Sequence, residues 1–121
     1  MTMDKWQALD TYWNSFGVPA YNELTVPEDA QMPYITYEAA IGSLNGPMTL
    51  SASLYWKGNS WAWGMKRVTD MQKVMDRQIK IDGGYVMFRV PVASSAQPTT
   101  DAFDEQVRRI IMPIEVEFLS N

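Results

Sequence analysis

An alternation of apolar and polar residues over positions 48–56 restricts the fold of this chain more than any other feature. The apolar set is Met48, Leu50, Ala52, Leu54 and Trp56, and the intervening set is Thr49, Ser51, Ser53 and Tyr55. A period of two places each set on its own face of an extended strand. The pattern therefore predicts a β-strand that buries one face.

The segment before this strand predicts its hairpin partner. Residues 33–40 read PYITYEAA and begin with a run of good β-formers. The tripeptide Asn45-Gly46-Pro47 between the two segments is typical of a turn. We expect an antiparallel pair with one buried face.

Two further strands are predicted in the C-terminal half. One covers Tyr85 to Pro91, and the other covers Gln106 to Leu119 with alternating Ile, Met, Val and Phe residues. Pro113 lies in the second and cannot donate a ladder hydrogen bond, so that strand is expected to lie at an edge or to bulge there. Between the two strands, Ala93 to Glu105 is polar and too long for a tight turn, and it is predicted to be a mobile loop.

Two helices complete the prediction. The first begins near Asp4 and ends at Gly17, with an apolar stripe of Trp6, Leu9, Trp13 and Phe16. The second begins after Asn59-Ser60 and extends to about Gln78, before the turn Asp82-Gly83-Gly84. Its stripe comprises Trp61, Met65, Val68, Gln72, Met75 and Ile79.

These elements predict one α+β domain over residues 1–121, with the order α-β-β-α-β-β. The chain has 121 residues, of which 46% are hydrophobic, so one core can form. The simplest layered arrangement is a four-stranded, mainly antiparallel sheet with both helices packed on one face.

The composition argues against several kinds of function. The chain contains no cysteine and no histidine, which removes thiolate chemistry, the commonest general base and the commonest transition-metal ligand. A net charge of −4 has the wrong sign for neutralising phosphates. No membrane span or signal segment is apparent, so folding in a cytosol is expected.

The acidic and glycine clusters have simpler interpretations than ligand binding. Asp101, Asp104 and Glu105 lack the spacing and central glycine of a calcium loop, and they are expected to be solvated. Gly83-Gly84 follows a helix and does not open one, so it is a turn and not a phosphate cradle. We expect neither a metal nor a cofactor.

Tryptophan and arginine indicate an interaction surface. Trp6 and Trp56 suit core packing, but Trp61 and Trp63 lie two apart on a helix and point in different directions, so one core does not easily receive both. Arginine is favoured at interfaces for its planar fork of donors. The candidate interface residues are Trp61, Trp63, Arg67, Arg108 and Arg109.

Two runs of residues resemble the tail-terminator, or tail-completion, proteins of long-tailed bacteriophages. The first run contains Pro27, Ala30, Pro33, Tyr34, Ile35 and Tyr37, and the second contains Ser53, Leu54, Tyr55, Trp56, Ser60 and Trp61. In order and spacing the resemblance extends over nearly the whole chain, including the closing VRRIIMPIEVEFL. The polar stretch from Ala93 to Glu105 departs from it, because it lacks a glycine-and-tryptophan hairpin.

The resemblance implies a structural protein and not an enzyme. Such proteins form a ring, typically a hexamer, on the last ring of the tail tube, stop its polymerisation and present a surface to head-completion proteins. The genome passes through the channel without specific binding, and the protein resides in the virion after assembly in the host cytoplasm. Two alternatives are a head-tail connector or other neck protein, and a small enzyme or ligand-binding domain that pairs Glu38 with Glu115 or Glu117.

Overall fold

The computed structural model describes residues 3–39, 48–58, 60–91, 96–100 and 106–120. These residues form two helices and a seven-stranded mixed sheet that curls into a half-barrel. The elements are α1 (Lys5–Asn14), β1 (Ala20–Asn22), β2 (Tyr34–Tyr37), β3 (Met48–Lys57), α2 (Trp61–Gln72), β4 (Arg77–Ile81), β5 (Gly84–Arg89), β6 (Gln97–Thr100) and β7 (Val107–Ser120).

The long strand β7 organises the sheet. It pairs antiparallel with the whole of β3, from Val116 opposite Met48 to Val107 opposite Lys57. Its other edge is shared by β5 and β6, so the strand order is β1-β2-β3-β7-β5-β4 with β6 beside β7. β1 and β2 are parallel, whereas the other pairs are antiparallel.

The alternation over positions 48–56 is confirmed as the pattern of a half-buried strand. Leu50, Ala52, Leu54 and Trp56 are buried, and their β7 neighbours Ile110, Met112 and Ile114 are buried on the same face. The predicted antiparallel pairing of this strand with the preceding one is also confirmed, since Ile35 of β2 lies opposite Leu54.

Helix α1 lies across the concave side of the sheet. Asp4 caps it, accepting a hydrogen bond from the Gln7 amide at 2.8 Å while the Gln7 side chain accepts one from the Asp4 amide at 2.9 Å. The helix contacts both β1 and β4, which are the two ends of the strand order. One helix can contact both ends because the sheet curls, whereas α2 contacts the central strands β3 and β7.

Tyr12 and Tyr37 attach α1 to the sheet. The Tyr12 hydroxyl donates to the Met75 carbonyl at 2.8 Å, and its ring stacks on Phe88 at 3.8 Å between centroids. The Tyr37 hydroxyl donates to Asp10 Oδ1 at 3.0 Å. Burial raises the pKa of both hydroxyls above the usual value for tyrosine, so both stay protonated donors further into the alkaline range than an exposed tyrosine does.

The predicted four-stranded sheet with the order α-β-β-α-β-β is wrong, and β4 is the main reason. The second helix ends at Gln72 and not near Gln78, and residues 77–81 form a strand that pairs with β5. Ile79 follows Met75 at the helical spacing of four and precedes Ile81 at the strand spacing of two, so periodicity alone did not separate the two structures. The stronger signal was Asp82-Gly83, a two-residue hairpin turn in which Gly83 has a φ of 85°.

Two short strands were also missed. β1 has three residues, and its pairing with β2 depends on a contact that no local pattern encodes. β6 lies inside the stretch predicted to be a loop, Ala93 to Glu105, and Thr99 of β6 pairs with Arg109. Residues 93–95 and 101–105 of that stretch, with the acidic cluster at Asp101, Asp104 and Glu105, lie outside the described residues, as does the turn at Asn45-Gly46-Pro47.

Pro113 lies in a central strand, but among the described residues only one neighbouring strand pairs with it. On one side it is opposite Ser51 of β3. On the other side, among the described residues, β6 reaches only Ile111 and β5 begins at Glu115. The strand is therefore not at the edge as a whole, but its proline falls where neither β5 nor β6 pairs with it among the described residues.

The helix stripes are only partly as predicted. Leu9, Trp13, Val68 and Met75 are buried, whereas Trp6 is 39% exposed. Met65 is also exposed. The assignment of Trp6 to the core is therefore wrong: Trp6 lines a surface cleft with Leu24 and Tyr37 and does not pack inside the core.

Candidate subunit interface

A cluster of three tryptophans lies where β3, β7 and α2 converge. Trp56 of β3 is buried, and its Nε1 donates to the Ser60 carbonyl at 3.3 Å just before α2 begins. Trp61 meets its ring edge-on with centroids 5.5 Å apart, and Trp63 is tilted against it at 5.9 Å. Trp56 is in the core, as predicted, and supports two half-buried tryptophans at the surface.

Gly64 allows α2 to approach Trp56 this closely. A Cβ on Gly64 would lie 2.6 Å from Trp56 Cζ3 and closer still to Cζ2 and Cη2. Ordinary contacts begin near 3.4 Å, so no larger residue fits without movement of the ring or the helix. Gly64 therefore has a packing role, although glycine weakens a helix by about 1 kcal/mol relative to alanine.

Two arginines stack on the outer tryptophans. The Arg67 guanidinium lies 4.8 Å from the Trp63 ring centroid, and the Arg108 guanidinium lies 5.2 Å from that of Trp61. Arg108 reaches Trp61 because it is opposite Trp56 in the β3–β7 ladder. Four of the five predicted interface residues are therefore brought together.

Arg109 is on the other face of the sheet, because adjacent residues of a strand point to opposite sides. Its guanidinium lies 5.3 Å from the Tyr55 ring, and its Nε donates to Ser53 Oγ at 2.9 Å. Tyr55 in turn contacts Tyr34 at 5.5 Å, and Tyr34 contacts Tyr21 at 5.9 Å. The five predicted residues thus belong to two different surfaces.

The row Tyr21, Tyr34, Tyr55 and Arg109 is a cross-strand ladder that sequence reasoning missed. Tyr34, Tyr55 and Arg109 share one register position on β2, β3 and β7. The signal was available only in part, since Tyr34 and Tyr55 lie in predicted strands but Tyr21 lies in β1, which was not predicted. The register that aligns the three depends on tertiary pairing.

The carboxylates considered for an acid–base pair have other partners. Glu38 Oε1 accepts a hydrogen bond from the Ser51 amide at 3.2 Å. Both other acids pair with Arg89: its Nη1 lies 3.6 Å from Glu115 Oε1, and its Nη2 lies 2.7 Å from Glu117 Oε1. Across the part of the chain that the structure describes, no three acidic side chains are grouped to hold a metal ion.

Neither described helix is long and apolar enough to cross a membrane. No protein-family model, curated protein or solved structure matches the chain.

Proposed function

We propose that this chain is a structural assembly protein, a tail-terminator-like subunit of a long-tailed bacteriophage. It forms a homo-oligomeric ring, expected to be a hexamer, that caps the tail tube, stops its polymerisation and offers a surface to the head-completion or neck protein. It acts in the host cytoplasm during assembly and ends in the virion. The residues that carry the resemblance support the proposal because they occupy neighbouring elements, with Tyr34 of β2 opposite Tyr55 of β3.

The observation that carries the proposal is the surface formed by Trp61, Trp63, Arg67 and Arg108. Aromatic and arginine side chains are enriched in the buried centres of protein interfaces. Here they are half-buried and held by mutual stacking, so little side-chain entropy remains to be lost on binding. Cation–π pairs strengthen from about 0.5–1 kcal/mol in water to about 2 kcal/mol when desolvated, so covering this surface with a partner is favourable.

The charge is compatible with passage of DNA through such a ring. The chain carries a net charge of −4, so a channel built from it has no general excess of cations to bind the phosphate backbone. Glu115 and Glu117 are partly neutralised by Arg89.

Truncation of one outer tryptophan tests the proposal. Trp61→Ala and Trp63→Ala are expected to leave a folded subunit that no longer forms rings or stops tube growth, since hot-spot truncations commonly cost about 2 kcal/mol or more. Leu119→Ala is the matched control, because Leu119 is an exposed apolar residue at the far end of β7 from Arg108. Ring formation is measured by light scattering, and tube length by electron microscopy after mixing with the tube protein.

Deletion of the protein and substitution of its carboxylates separate the alternatives. A phage that lacks the protein should make overlong tubes if the protein is a terminator, and normal tubes that fail to join heads if it is a connector. Loss of function on changing Glu38, Glu115 or Glu117 to alanine, with folding and rings intact, would contradict the assembly proposal in favour of an enzyme.

A further inference from the structure

The charges of this chain are strongly segregated along its sequence. No lysine or arginine occurs between Lys5 and Lys57, whereas that interval holds the acids Asp10, Glu23, Glu28, Asp29 and Glu38. Over residues 61–80 the balance reverses, with the cations Lys66, Arg67, Lys73, Arg77 and Lys80 against Asp70 and Asp76. The acidic segment of one copy can therefore attract the basic segment of another.

The acidic region presents an apolar knob. Leu24 is 76% exposed, the highest value among the large hydrophobic residues that the structure describes, and it follows Glu23 directly. The turn that carries them is fixed by three hydrogen bonds, in which the amide of Glu23 donates to the Tyr37 carbonyl, that of Leu24 to Asn22 Oδ1, and that of Thr25 to the Asn22 carbonyl. The knob is therefore held in place before any partner arrives, which lowers the entropy cost of binding.

A cleft of about 370 Å³ lies between the end of α1 and the end of α2, and its two arginines come from the basic region. Its apolar walls include Phe16, Met71 and Val74, and Val74 is 51% exposed. Its charged rim contains Arg67, Asp70 and Arg77, with Asp70 paired to Lys66 and Lys73 at 3.2 and 3.9 Å. An apolar floor with a positively charged rim suits a leucine next to a glutamate.

The Arg77 side chain is held at the rim of the cleft by contacts with its own chain. Its guanidinium lies 4.8 Å from the Phe16 ring centroid, its Nε donates to the Val74 carbonyl at 2.9 Å, and another nitrogen donates to the Ser15 hydroxyl. These bonds use two of the five N–H donors of a guanidinium. The remaining donors suit a carboxylate brought in by a partner.

We infer that the occupant of this cleft is the Leu24 knob of a second copy of the chain, with Glu23 beside Arg77 and Arg67. Knob and cleft share no residue, so the contact is head-to-tail, and repeated head-to-tail contacts close into a ring when the rotation allows it. The inference deepens the proposed ring assembly and rests on it. It also extends the candidate interface, because Trp63, Arg67, Asp70 and Val74 follow one another at helical spacing along one side of α2 and the turn after it.

The first test breaks each half of the contact separately. Leu24→Asp and Val74→Asp change exposed side chains and should leave folding intact, but each should weaken self-association by about thirty-fold or more. Leu119→Asp, which changes an exposed residue outside the cleft, is the control and should assemble as the unmodified protein does. When the two defective variants are mixed, the intact cleft of one can accept the intact knob of the other, so dimers that do not grow further are expected by light scattering.

The second test uses the absence of cysteine from the chain. Leu24→Cys mixed with Val74→Cys should give a disulfide-linked dimer on oxidation, whereas Leu119→Cys mixed with Val74→Cys should not. A dominant Leu24→Cys homodimer, or equal crosslinking through Leu119→Cys, would overturn the inference.

The outcomes distinguish this contact from the proposed function. Normal rings from both aspartate variants, with normal control of tube length, refute the knob-in-cleft contact and leave the terminator function standing. A protein that forms this contact but leaves tube length unchanged supports the inference and refutes the function. An unmodified protein that never self-associates, alone or on tube ends, overturns both.

Discussion

Replacing Gly64 with alanine should destabilise this protein, although the same change stabilises most helices. In an unhindered helix, Gly→Ala contributes about 1 kcal/mol of stability. Here the added Cβ falls 2.6 Å from Trp56 Cζ3, so the ring or the helix must move by on the order of 1 Å to restore a contact of 3.4 Å.

The ring has little space into which it can move. Trp56 is 1% exposed, its Nε1 is bonded to the Ser60 carbonyl, and Trp61 and Trp63 pack against it. Overpacking of this kind costs about 1–3 kcal/mol. Because the ring is enclosed, we expect a cost in the upper part of that range. Subtracting the gain of about 1 kcal/mol in helix propensity leaves a net loss of about 1–2 kcal/mol.

Urea denaturation followed by circular dichroism measures this loss. Ala62→Gly, on the exposed side of the same helix, calibrates the propensity and should cost about 1 kcal/mol. Trp56→Phe shortens the ring, so Gly64→Ala should be less costly in that background, which gives a coupling energy from the double-mutant cycle. Stabilisation of the unmodified protein by Gly64→Ala, or the absence of coupling, would refute the proposed close packing.

Two further predictions concern the core. Ile114→Asp buries a charge where the side chain is 0% exposed and should leave the protein insoluble, whereas Leu119→Asp on the same strand should remain soluble in a pellet assay. Burial raises the pKa of Tyr12 above its usual value near 10. The contribution of the Tyr12 hydroxyl to stability is therefore complete below that pH and is lost as the pH rises beyond it. The free energy of unfolding should be lower at pH 11 than at pH 8. Tyr12→Phe should be less stable at pH 8 by about 1–3 kcal/mol, because the Met75 carbonyl loses its donor, but should show a smaller alkaline loss; an equal loss would contradict this assignment.

Local patterns were sufficient to predict several elements and some of the residues in the candidate interface. The cap at Asp4 and the stripe of Leu9 and Trp13 located α1, and alternation located β3 and β7 with the correct buried faces. The spacing of Trp61 and Trp63 predicted an interaction surface at the start of α2, where the aromatic and arginine cluster lies. These features depend on residues close together in sequence, so periodicity and capping report them directly.

Only the tertiary structure decided the rest, because sheet order and register are contacts between distant residues. Ile79 fits a helical stripe with Met75 and a strand alternation with Ile81, and the pairing of both isoleucines with β5 makes this segment a strand. Arg108 and Arg109 are neighbours in sequence, yet the pleat of β7 sends one to the tryptophans and the other to the tyrosine ladder. The approach of Gly64 to Trp56, and the cleft formed where α1 and α2 end, likewise exist only once β3, β7 and both helices have packed.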